Sequence, residues 1–103
     1  KLFLLWKVQI CPVGTSPAFC CVRTGPQDEW LVFVGDSEGC VKSWKPAQGR
    51  LLPVHTVVKT EGPISALDAV FHEDRILLAV GTGSGNVELL EIIREEFSQA
   101  EEH

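Results

Sequence analysis

Apolar and polar residues along this chain change over in short bursts, at the spacing of strands rather than helices. Trp30-Leu-Val-Phe-Val34 and Ile76-Leu-Leu-Ala-Val80 are unbroken apolar runs, the pattern of strands covered on both faces. Cys40–Trp44 alternates, with Val41 and Ser43 to one side and Lys42 and Trp44 to the other. Phe19–Arg23, Leu51–Val58, Ile64–Val70 and Val87–Ile92 read as further strands, and Pro53 requires that Leu51–Val58 lie at a sheet edge. Turn chemistry separates them: Thr24-Gly-Pro-Gln-Asp28, Lys45–Arg50, His72–Arg75, and the glycine-bounded segments Gly35–Gly39 and Gly81–Gly85. In the last two, glycine supplies the positive φ that a tight hairpin asks for. After Leu90 the pattern changes. Ile93, Phe97 and Ala100 fall on one narrow helical stripe in a segment without Gly or Pro, so a short C-terminal helix or a frayed acidic tail is expected.

The strands repeat. A shift of 46 residues, the separation of Gly39 from Gly85, places Pro17-Ala-Phe-Cys-Cys-Val22 on Pro63-Ile-Ser-Ala-Leu-Asp68 and Trp30–Gly35 on Ile76–Gly81 without a gap. Asp36–Val41 then falls on Thr82–Val87. Units of four short antiparallel strands with a period in the forties are the blades of a β-propeller. The expected organisation is therefore the end of a preceding blade over 1–16, one blade over 17–62, a partial blade over 63–92, and the tail over 93–103.

Gly35-Asp-Ser-Glu-Gly-Cys-Val-Lys-Ser-Trp44 resembles the WD-repeat segment G-S-x-D-G-x-h-x-h-W-D, where h is apolar. Glu38 stands at its acid, Gly39 at its glycine, Val41 at its apolar position and Trp44 at its tryptophan; Lys45 replaces the final Asp. Ser84, Gly85, Val87, Leu90 and Glu91 fill the same slots in the second unit, and Leu4-Leu-Trp-Lys7 resembles the close of an earlier one. The Gly-His pair that precedes a blade in that family is absent, Lys59-Thr-Glu-Gly62 standing in its place. The resemblance implies an all-β, WD-repeat-like propeller fragment of four-stranded blades. It also implies a non-catalytic scaffold for protein–protein contacts, with the remaining blades and other proteins as partners. Loop residues Asp36, Ser37 and Glu38, with Lys59 and Glu61, are the candidate partner-binding set, expected on one rim.

Composition narrows the alternatives. A net charge of −5 and scattered basic residues give no nucleic-acid or anionic-membrane surface, and no apolar run approaches a membrane span. The chain begins at Lys1 and contains no Met, so it reads as a piece of a longer protein without a signal peptide. The four cysteines (Cys11, Cys20, Cys21, Cys40) lack ligand or disulfide spacing; adjacent Cys20 and Cys21 point to opposite faces of a strand. Reduced thiols and an intracellular location are expected.

The rival chemistry is Ile76-Leu-Leu-Ala-Val-Gly-Thr-Gly-Ser-Gly85, which resembles the glycine-rich loop Gly81–Gly85 of an S-adenosylmethionine-dependent methyltransferase. That reading needs an acid where Ala79 stands and a helix where Asn86-Val-Glu-Leu-Leu90 reads as strand. His55, His72 and His103 have no partner at ligand spacing, and no G-x-S-x-G occurs. No catalytic residue, cofactor or metal is expected.

Overall fold

The computed structural model describes residues 17–25, 29–47 and 50–94. They form seven strands: β1 (Ala18–Arg23), β2 (Trp30–Gly35), β3 (Cys40–Ala47), β4 (Arg50–Lys59), β5 (Ile64–His72), β6 (Arg75–Thr82) and β7 (Val87–Ile93). The first four make one sheet in chain order and the last three a second, every neighbouring pair antiparallel. The fold is all-β, as the apolar pattern indicated, and the two open sheets form no closed barrel or ring. Among the described residues no helix is long and apolar enough to cross a membrane. Pro53 does lie on an edge strand, β4, opposite Trp44 and beside a register shift that absorbs its missing N–H.

Two expectations need correction. Ile93, the first residue of the proposed helical stripe, belongs to β7 and pairs with Arg75, because the strand alternation outlasts the point where acidic residues begin. No helix is shown at this end; Phe97, Ala100 and the rest of the tail, like segment 1–16, lie outside the described residues. The unbroken apolar runs are not evenly covered either. In β2 Trp30 stays exposed and Val32 half-buried, and in β6 Leu77 and Ala79 are half-buried while Ile76, Leu78 and Val80 are fully enclosed.

The repeat survives in detail. Gly35 pairs with Val41 and Gly81 with Val87; Val34 pairs with Lys42 and Val80 with Glu88. Each hairpin closes with the same backbone bonds: Asp36 N–H to Cys40 O (3.0 Å) and Thr82 N–H to Asn86 O (3.0 Å), then Gly39 N–H to Asp36 O (3.4 Å) and Gly85 N–H to Thr82 O (3.1 Å). Gly39 and Gly85 share φ values of +90° and +89°. The first strands do not keep the 46-residue offset, however. Phe19 faces Val34, yet Val80 faces Leu67, two residues further on. A bulge between Ile64 and Ala66 reduces this displacement to one residue at the rim end, where Ile64 faces Thr82. The two-residue displacement follows from the turns: β5 and β6 are joined by Glu73 and Asp74, both at positive φ (52° and 66°), whereas β1 and β2 are joined by six residues.

Packing of the two sheets sets the geometry of the molecule. One apolar cluster joins Val22, Leu31, Phe33 and Val41 of the first sheet to Ile76, Leu78, Val80 and Ile92 of the second. Closest approach is between β1 and β5. Where β2 also meets β5, Gly35 has no room for a side chain, because a Cβ would run into Ile64.

Equivalent positions, however, point opposite ways. Val41 is 0% exposed and its repeat partner Val87 is 78%; Ser43 is 2% exposed and Leu89 is 72%. Conversely Trp30 and Val32 lie open or half-open where Ile76 and Leu78 are buried. Call the Phe33 side of the first sheet, and the matching Ala79 side of the second, the front; the other side is the back. The front of the first sheet covers the back of the second. Two apolar faces are left over: the back of the first (Phe19, Cys21, Trp30, Val32, Trp44) and the front of the second (Val70, Leu77, Ala79, Val87, Leu89).

Candidate functional site

Three turns meet at one end of the two sheets: the β2–β3 hairpin, the β4–β5 connection and the β6–β7 hairpin. Backbone bonds tie them together. Thr60 N–H donates to Gly39 O (2.7 Å), Ile64 N–H to Asp36 O (3.0 Å) and Gly83 N–H to Pro63 O (2.7 Å). All five residues singled out from the sequence lie on this rim, but they do different work. The Asp36 carboxylate accepts the N–H groups of Glu38 and Cys40 (2.9 Å each), so it builds its own hairpin. Ser37 and Glu38 are exposed at the hairpin tip.

Lys59 and Glu61 line a cleft of about 460 Å³ whose other wall is Thr82, Ser84, Asn86 and Glu88. The sequence reading missed that second wall. The signal was present: the 46-residue shift carries Asp36, Ser37 and Glu38 onto Thr82, Gly83 and Ser84.

The cleft is polar and mixed in charge. Ser84 Oγ sits 2.8 Å from Thr82 Oγ1 and accepts from Asn86 Nδ2 at 3.3 Å. Thr82 Oγ1 also reaches Asn86 O at 3.4 Å. Neither an amide nor a second hydroxyl can take a proton from Ser84, so this arrangement holds a hydrogen-bonding surface rather than an activated nucleophile. Lys59 and Glu61 on one wall, with Glu88 on the other, suit a polar polypeptide surface with charges of both signs.

The glycine-rich segment Gly81–Gly85 is a hairpin. Gly85 takes the left-handed conformation, and strand β7 follows where a cofactor-binding loop would open a helix. The antiparallel β6–β7 pair also removes the parallel frame on which the methyltransferase alternative depends. Among the described residues no three His, Cys, Asp or Glu side chains gather as a metal site. His72 stands by Glu73 at 3.5 Å on the exposed far turn, and His103 lies outside the described residues.

At the opposite end Arg94 links the sheets. Its guanidinium pairs with Asp74 (2.6 Å), donates to Thr24 O of the first sheet (3.3 Å) and lies 5.8 Å from the centre of the Phe71 ring. The hydrogen bond from Arg94 holds the Asp74 carboxyl below its ordinary range. The Trp44 indole N–H has no acceptor among the described residues, since Val32 occupies the facing position on β2.

Cys20 and Cys21 face opposite sides, as adjacent strand residues must; neither they nor Cys40 are bridged. Burial, then the charges of Asp68 and Cys21, push the Cys20 thiol from about 9.0 up to about 11. A thiol whose folded pKa is raised loses its proton first in the unfolded chain, so stability falls as pH climbs from about 9 to about 11. Thermal melts across that window should show the fall, and Cys20→Ser should flatten it. At neutral pH a maleimide should label exposed Cys21 well before Cys20, read by peptide mass spectrometry.

No family model, curated protein or solved structure matches this chain.

Proposed function

We propose that this chain is part of a WD-repeat-like β-propeller in a larger intracellular protein and serves as a non-catalytic scaffold for protein–protein contacts. The observation that carries this reading is the front-to-back relation of the two sheets. Related units stacked in one sense leave one unused front and one unused back, and further units of the same design cover both. A sandwich built around a two-fold axis would instead bury equivalent faces and leave equivalent faces outside. The four-strand meander β1–β4 has the order of a propeller blade, and β5–β7 supply three of four strands for the next.

Within that reading the rim cleft is the contact site for a partner protein. Lys59 and Glu61 stand on one wall, Ser84 and Asn86 on the other, and their backbones are pinned by the inter-turn bonds. A benzophenone side chain installed at Glu61 or at Ser84, irradiated in cells, should give the same discrete adduct with another polypeptide from both positions. The double change Lys59→Glu with Glu61→Lys should remove the Ser84 adduct without altering the melting temperature. Adducts from the far turn at Glu73, with none from the rim, would overturn the assignment.

A further inference from the structure

We propose that two copies of this chain associate head to tail, the front of the second sheet of one copy docking on the back of the first sheet of another. The inference rests on the front-to-back reading above and applies it to the chain by itself. The contact required already exists once inside the molecule, between the front of β1–β4 and the back of β5–β7. The two unused faces are the repeat equivalents of the two that meet there. Val87 and Leu89 stand where Val41 and Ser43 stand in the internal contact, and Val70, at the displaced offset of the first strands, stands where Val22 does. Phe19 and Trp30 correspond to Leu67 and Ile76 of the covered back.

Both unused faces are apolar and open, with Phe19 69% and Leu89 72% exposed, an arrangement that marks interaction surfaces. Their charges are complementary. Lys42 is exposed on the back, while the front carries Asp68 and Glu91, the latter paired with Arg75 of the same face at 3.3 Å. A symmetric front-to-front contact would bring together two faces that each expose Asp68, and a back-to-back contact two faces that each expose Lys42. Like charges disfavour both, leaving front on back.

The test separates a head-to-tail contact from a symmetric one. Leu89→Arg blocks the front and Phe19→Arg blocks the back, both at exposed positions where folding, checked by circular dichroism, is unaffected. Sedimentation velocity of the unaltered chain should show a weight-average mass that keeps rising with concentration through the micromolar range, past that of a dimer. Each variant by itself should be monomeric, its association weakened by more than about tenfold. An equimolar mixture of the two should give a dimer and stop there, because it contains one intact front and one intact back. A Glu73→Gln control on the far turn should associate like the unaltered chain.

A chain that stays monomeric throughout overturns the proposal, leaving the rim cross-linking result untouched. A dimer that does not grow, or a single variant that still dimerises by itself, overturns it in favour of a symmetric contact, and a mixture that remains monomeric overturns it as well.

Discussion

Phe33→Ala should cost about 3–5 kcal/mol, the largest loss expected from any truncation in this chain. Phe33 is 0% exposed and lies in the cluster that joins both sheets, facing Cys20 on β1 and Ser43 on β3. Its removal leaves a cavity between two rigid strand surfaces that cannot collapse across it, so the lost transfer energy and the cavity term add. Phe19 is the same residue type one strand away, pointing to the open back at 69% exposure. Phe19→Ala should cost less than about 1 kcal/mol. Urea unfolding of both variants, compared at a common slope, gives the difference. Equal midpoints would mean that the two sheets do not share this core.

The second large effect concerns a pair of glycines with the same backbone and different surroundings. Gly39 and Gly85 both occupy the left-handed region, so valine at either is strained by about 1–3 kcal/mol. A Cβ at Gly85 meets nothing within 4 Å. At Gly39 it collides with the carbonyl oxygen of Thr60 and comes to 2.8 Å from that of Gly62, in the connection that also donates Thr60 N–H to Gly39 O. Backbone cannot swing aside as a flexible side chain can. Gly39→Val should therefore exceed Gly85→Val by at least about 1 kcal/mol. Thermal unfolding of the two variants measures this, and a larger loss at Gly85 would place the close approach on the wrong hairpin.

The elements were legible in the sequence because strands and hairpins are written locally. The runs Trp30–Val34 and Ile76–Val80 lie inside β2 and β6, the alternation at Cys40–Trp44 lies inside β3, and the glycines of both hairpins take the φ their positions suggested. The shared rim was legible too, since alternating antiparallel strands return every second turn to one end. What local pattern could not carry is which face meets which. Val41 and Val87 sit in matching strands after matching glycines, yet one is sealed and the other open. That difference is made by a neighbouring sheet, not by spacing.

The register of β5 was hidden for a related reason. A two-residue turn in place of six shifts pairing by an even number, which from Ala66 to His72 keeps each side chain on its face and leaves the apolar pattern unchanged. Trp44 shows the limit of motif matching. It sits at the tryptophan of a known pattern, but it faces Val32 across β2 and its indole N–H finds no acceptor among the described residues.

The front-to-back relation also bears on how such a chain changes length over generations. Duplication of the coding sequence for one unit supplies a sheet whose back already suits the front before it, and whose own front suits whatever follows. Copy number can therefore rise or fall in whole units without any new pair of surfaces having to arise by mutation. In the propeller proposed above, the ceiling on that number would be set by the angle each unit turns through, not by the chemistry of its faces.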